Sequence, residues 1–281
     1  MRLFQSVMHD LHADVLFKTT KVNTLLQRHG NGFIDSYRKA SFENVLVSYF
    51  YLGIKQNIKN HSLLKEKFFF LDSGAYSAMS TGTPVDVYQY IDWIKENRAM
   101  IDLYCGLDDI GDYKKTLENQ RIMEAAGLHP LITFHYGEPF ELLRDFCQEY
   151  EFICLGGIAG KRKQQRTPWL DNCFSVIKDY WPKRLHVFGV HDKDILLRYP
   201  FYSADASTDS LSAAMGNTAV GRMDDGKGVT LNKFQVMKGQ ANSTLTLSEK
   251  SQLRFATLAI KKEAIEKSIT SIWAARGIKW E

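Results

Sequence analysis

The chain has 281 residues, 44% of them apolar and 12% aromatic, and 36 basic against 32 acidic side chains give it a formal charge of +4. No apolar run approaches the ~20 residues of a membrane helix, and no basic, apolar leader opens the sequence. The four cysteines, at 105, 147, 154 and 173, form no Cys-x-x-Cys pair, which argues against a zinc ribbon or a thioredoxin-like site. Cys105 and Cys154 sit in apolar, strand-like runs and read as buried reduced thiols. The expected location is the cytoplasm. The slight positive charge suits a polyanionic partner without demanding one.

In chain order, the first 43 residues form an ambiguous N-terminal extension with a turn at HGNG (29–32). Short β-rich apolar runs then recur at 44–53, 67–72, 99–108, 128–135, 151–157, 184–190, 200–205 and 217–223. Segments with helical periodicity lie between several of them, at 85–98, 113–127, 139–150 and 169–181. Strands that alternate with helices and are apolar on both faces indicate a parallel sheet. Eight such strands fit a closed (β/α)8 TIM-like barrel, an α/β fold that typically needs about 250 residues. The alternative is an open doubly wound sheet, because the last two spacings are short for helical crossovers. A long amphipathic helix is expected over 248–277, packed on the body. The whole chain reads as one domain, with the extension at 1–43, a strand-rich core at 44–225, and a C-terminal loop and helix at 226–281.

Several of these runs stop at chemistry-bearing residues. The run at 67–72 ends in Asp72 followed by Ser73, Gly74 and Tyr76; the next ends in Asp108 and Asp109; then come His135 with Glu138, Gly156 with Gly157, and Asp205. One strand-end acid is usually the N-cap of the next helix. Several opening onto the same face of a barrel make a converging acidic pocket the better reading. Such a pocket suits glycosyl chemistry, in which one carboxylate attacks or shields an oxocarbenium-like carbon and a second carboxyl group handles the leaving group's proton. Tyr76 is either a stacking face for a planar base or ordinary core. The GGIAG loop (156–160) can offer backbone N–H groups to a ligand, and KRKQQR (161–166) is either a phosphate-contacting rim or a solvated loop.

These stretches, in this order, resemble the tRNA-guanine transglycosylase superfamily, closest to its DpdA-type branch of phages and bacteria that puts 7-deazaguanines into DNA. The resemblance spans about residues 65–225 and rests on LDSGAYS, CGLDD, CLGGIAG, HVFGV and YSADAST. It implies a barrel and a base-exchange reaction with no cofactor and no catalytic metal. Asp205 matches the nucleophile that attacks C1′, and Asp72 the acid that moves the proton. Asp108, with Asp109 as the competing alignment, matches the acid that binds the base's polar edge. Tyr76 matches the stacking aromatic, with Ser73 and Gly74 in the same motif. Gly156, Gly157 and Ile158 match the loop that contacts the base's 7-substituent. Lys161, Arg162, Lys163 and Arg166 are the expected phosphate contacts.

Three departures bear on the substrate. No cysteine follows Cys173, so the thiolate zinc element of the tRNA enzymes has no ligands here. His135 stands where those enzymes carry glutamine, and it is expected to read the base together with Asp108. Asp209 replaces an expected aromatic. The resulting expectation is exchange of guanine in DNA for a free 7-deazaguanine such as preQ0. The expected partners are DNA, the free base and no membrane, with a homo-oligomer or accessory DNA-modification proteins as further candidates. The rival readings are a zinc-free enzyme acting on tRNA, a noncatalytic nucleic-acid-binding barrel and a metal-dependent hydrolase, the last disfavoured by scattered histidines.

Overall fold

A computed structural model describes residues 1–6, 43–54, 67–206 and 262–280. They divide between two compact units, one holding 1–6, 44–54, 67–206 and 280, the other 43 and 262–279.

The first unit is built on eight parallel strands: β1 (Arg2–Ser6), β2 (Asn44–Ser48), β3 (Phe68–Asp72), β4 (Leu103–Tyr104), β5 (Ile132–His135), β6 (Phe152–Gly156), β7 (Arg184–Val187) and β8 (Ser203–Ala206). They are ordered β4-β3-β2-β1-β8-β7-β6-β5 in a curled sheet. An isolated parallel bridge, Cys105 with Leu131, joins its two ends. The Leu131 amide donates to Tyr104 O at 2.9 Å and the Gly106 amide to Leu131 O at 2.9 Å. The neighbours around the ring are therefore consecutive strands, as in a (β/α)8 TIM-like fold. The helices of this unit are α1 (Ala75–Thr81), α2 (Val87–Asn97), α3 (Tyr113–Ala125), α4 (Phe140–Glu149), α5 (Lys163–Ile177) and α6 (Lys193–Arg198). Among the described residues no helix is long and apolar enough to cross a membrane.

Seven of the eight expected strands appear, and the seat of the remaining one is a correction. Residues 1–43 were expected to form an extension, yet Arg2–Ser6 is a barrel strand paired with both β2 and β8. The expected first run is thus the second strand, and the run at 217–223 lies outside the described residues. The run at 99–108 yields only two strand residues, because a 3₁₀ turn (Arg98–Met100) occupies its start. Helix α5 begins six residues before its expected start and tolerates Pro168 inside it. A proline there removes one ladder hydrogen bond rather than ending the helix.

Register sets which side chains fill the cylinder. Phe4, Leu46, Phe70, Cys105 and Cys154 form one buried cluster, drawn from β1, β2, β3, the end of β4 and β6. Leu3, Val45, Val47, Phe69, Leu71, Ile153, Leu155, Leu185 and Val187, at the alternate positions, are also buried and form the outward layer under the helices. All four cysteines are buried free thiols.

In the second unit a helix, α7, spans 262–275, within the expected 248–277. Lys262, Ile269 and Trp273 are its buried residues, the last two four apart on one face. The rest of the expected helix lies outside the described residues.

Candidate active site

The same alternation that sends Phe4 and Phe70 inward sends the next inward residue of each strand to the C-terminal mouth. Those residues are Ser6, Ser48, Asp72, His135, Gly156 and Asp205. Ser48 lies beside Asp72, His135 beside Gly156, and Asp205 beside Phe4 in the register. Parallel strands thus deliver carboxyl, hydroxyl and imidazole groups to one rim.

Asp205 is buried and held by three strands. The Ser6 hydroxyl donates to its Oδ2 at 2.5 Å and the Gly189 amide to its Oδ1 at 3.0 Å. His186 Nε2 stands 3.5 Å from the same Oδ1. Burial alone raises a carboxyl pKa, but His186, Ser6 and the Gly189 amide overrule it and hold Asp205 below its ordinary value. Asp72 goes the other way. Burial and the nearby charges of Asp108 and Asp205 lift its pKa to about 7, against the opposing amides of Gly74 and Ser73. One carboxylate and one proton-bearing carboxyl group face the same space, the pattern by which environment splits two acids into separate roles.

Asp108 is aimed by α3. Asn119 Nδ2 donates to Leu107 O at 3.0 Å and the Asp109 amide donates to Thr116 Oγ1 at 2.8 Å, pinning the residues on either side. Asp108 consequently turns into the mouth, where its Oδ2 lies 3.4 Å from His135 Nε2. Asp109 is exposed and lines, with Asp108, a groove beside α1 and α3. His135 Nδ1 is 3.2 Å from Glu138 Oε1, and its amide donates to Glu138 Oε2 at 2.8 Å. Burial disfavours a charged ring there, but Asp108 and Glu138 together raise the His135 pKa to about 10. An imidazolium with a carboxylate at each nitrogen orients Asp108 rather than presenting a free edge of its own. The buried Asp108 Oδ1 and Ser48 Oγ have no hydrogen-bond partner among the described residues. Leaving such atoms unpaired costs roughly 1–3 kcal/mol each, which a ligand's donors can recover.

The other expected site residues fall as follows. Tyr76, on the first turn of α1, is 71% exposed, so its ring face is open. Ser73 is fully buried, with its Oγ accepting from the Ala75 amide at 3.4 Å. Gly156 and Gly157 let β6 press against β5: a Cβ on Gly157 would lie 2.9 Å from Tyr136 N, and one on Gly156 3.1 Å from the His135 ring. Ile158 is fully buried. In the basic loop Lys161 Nζ sits 4.2 Å over the Tyr136 ring and Lys163 pairs with Asp194 at 2.8 Å. Arg162 is exposed and Arg166 partly buried. The strand-end acid Asp192 takes the plain role of N-cap on α6.

Gly74 shows why this motif needs its glycine. Its φ is +81°, and a Cβ would meet Ser48 Oγ at 2.4 Å and Phe50 Cβ at 2.6 Å. Gly74→Ala combines left-handed backbone strain with overpacking, so unfolding free energy is expected to fall by about 3 kcal/mol. Chemical denaturation checks this, and an unchanged midpoint would contradict it.

Ser6, Ser48, His186 and Phe188 were not foreseen. Phe188 packs on the inner cluster as the floor of the mouth. Ser203, His186 and Asp205 do not form a hydrolytic triad. Ser203 is fully buried and bonds Nδ1 of the histidine at 2.9 Å, while the carboxylate faces Nε2. In the hydrolytic arrangement the serine is open to substrate and faces Nε2. Among the described residues no three His, Cys, Asp or Glu side chains are grouped to share a metal ion.

No protein-family model matches the chain, and no curated protein matches it either.

Proposed function

We propose that the chain is a nucleic-acid base transglycosylase of the tRNA-guanine transglycosylase superfamily, exchanging guanine in DNA for a free 7-deazaguanine. The observation that carries the reading is the pair of carboxyl groups at one mouth: Asp205, cradled by Ser6, the Gly189 amide and His186 and held below its ordinary pKa, and Asp72, raised to about 7. Asp205 attacks C1′ as the C1′–N bond breaks, and the departing base takes its proton from Asp72. Esterification removes the charge on Asp205, and with it one of the causes that keep the proton on Asp72. Proton release is thereby coupled to attack. In the second half the incoming base gives its N–H proton to Asp72 and its nitrogen displaces Asp205 from C1′. The base then stays bound to the sugar with retained configuration, as in double-displacement glycosyl transfer.

Asp108 Oδ1, unpartnered and backed by the His135 imidazolium, is placed to accept from a purine-like polar edge. Exposed Tyr76 offers stacking worth roughly 1–3 kcal/mol per base. A nucleotide inside a duplex must leave the stack to reach the mouth. DNA is favoured over tRNA because no cysteine follows Cys173 to build the zinc element of the tRNA enzymes.

Incubation with labelled 7-deazaguanine and either nucleic acid tests the reading. Label in DNA supports it, label only in tRNA removes the DNA assignment, and label in neither removes the transferase. The phosphate role of the loop after β6 is tested by Lys161→Ala, Arg162→Ala and Arg166→Ala combined. DNA affinity is expected to drop for all sequences alike, with the log–log salt slope shallower by about 0.9 per duplex phosphate lost. A slope equal to that of the parent protein would assign these residues to a solvated loop.

A further inference from the structure

We propose that His186, held by Ser203 as its Nε2–H tautomer, is the positioning residue that fixes which oxygen of Asp205 attacks. The inference rests on the transglycosylase reading, but its geometry stands alone. His186 is fully buried and ringed by Phe4, Phe70 and Phe188, with ring centroids at 5.9, 4.8 and 4.5 Å, each edge-on at 75–77°. Its Nδ1 lies 2.9 Å from Ser203 Oγ, and its Nε2 has no nearer polar neighbour than Asp205 Oδ1 at 3.5 Å. An ionised carboxylate can only accept, so the proton belongs on Nε2 and Nδ1 accepts from the serine hydroxyl. A dry aromatic cage favours the neutral ring, and burial does lower the His186 pKa against the pull of Asp205.

The donors around Asp205 are then distributed unequally. Oδ1 receives the Gly189 amide and faces the His186 Nε2–H, both fixed to the barrel wall, whereas Oδ2 has the Ser6 hydroxyl, which can rotate away. Oδ2 is therefore the atom that forms the bond to C1′. Oδ1 becomes the ester carbonyl oxygen and keeps its two donors, which stabilises the carboxylate as it leaves in the second half. The 3.5 Å separation is long for a hydrogen bond and is expected to shorten as charge shifts during reaction.

The first test needs no substrate. The ¹⁵N-imidazole spectrum of the full chain at pH 7–8 is expected to show His186, identified by its loss in His186→Gln, as neutral and protonated on Nε2. An imidazolium or an Nδ1–H ring overturns the proposal. Asp205, whose charge also faces Asp72, is followed by ¹³C-carboxyl titration and identified by its loss in Asp205→Asn. Its midpoint is expected to rise in His186→Phe and to stay near the parent value in His186→Gln, whose amide can still donate. An unmoved midpoint in folded His186→Phe overturns the proposal. Should that variant not fold, Ser203→Ala decides, since loss of the serine must reduce the Nε2–H population, and an unchanged tautomer ratio refutes the arrangement. In exchange assays His186→Phe is expected to lower kcat about 10²-fold with KM for the base unchanged; a change in KM alone counts against it. If the parent protein transfers no base to any nucleic acid, the transglycosylase reading fails while the two spectroscopic readouts still judge His186.

Discussion

Asp205→Asn is expected to reduce base exchange at least ~10⁴-fold while leaving the barrel folded. An amide is a poor nucleophile toward an oxocarbenium-like carbon, and no other described side chain is cradled in the same way. The substitution is nearly isosteric: its carbonyl oxygen can still accept the Gly189 amide, and its NH2 can donate to the Ser6 oxygen that now donates to Oδ2. Because its donors outweigh burial and hold Asp205 below its ordinary pKa, the anion contributes stability at neutral pH, so a modest loss of thermal stability with the fold retained is expected. Two measurements decide. Single-turnover transfer of labelled base gives the rate, and denaturing electrophoresis with a nucleic-acid substrate gives the covalent adduct. A variant that transfers base at the parent rate, or still forms the adduct, assigns the nucleophile elsewhere.

Asp72→Asn is expected to cost about 10²–10⁴-fold in rate, the usual range for a positioned general acid. Its pH signature is more specific than the loss itself. The parent rate should decline as pH rises through about 7, where Asp72 gives up its proton, and the variant should lack that limb. Stability carries the same signature with a definite sign. Between about pH 4, where an unfolded aspartate releases its proton, and about 7, the folded chain binds a proton that the unfolded chain has lost. Stability therefore falls with rising pH across that window. The variant escapes this penalty, so it should melt about 5 °C above the parent at pH 8 and no higher at pH 4. Equal melting temperatures at pH 8 would mean that Asp72 is not held protonated.

The parallel barrel was legible because its strands are apolar on both faces and their spacing leaves room for helices. The mouth was legible because apolar runs such as Phe68–Leu71 stop at an acid. β1 was not: five residues of RLFQS at the very start carry no preceding turn and no helix-period partner, and their strand identity comes from pairing with β2 and β8. With β1 hidden, Ser6 could not be seen as a ligand of Asp205. His186 was in plain view within HVFGV, and period-2 alternation from Phe188 would have turned it inward. Its role, however, depends on Ser203 and Asp205 standing across the β7–β8 pairing. That Asp108 rather than Asp109 reaches His135 is likewise tertiary, set by Asn119 and Thr116 on α3. Lys163 looked like part of a phosphate rim but faces Asp194, a surface pairing that spacing along the chain does not reveal.

The single bridge between Cys105 and Leu131 is the thinnest part of the wall, and it lies beneath Asp108 and His135, whereas Asp205 rides on a β1–β8 ladder of four register pairs. In the proposed reaction, recognition and bond-making thus stand on supports of different stiffness. Substitutions along that seam can retune which heterocycle is accepted while the attacking group keeps its aim, giving such an enzyme room to drift in base preference without losing its chemistry.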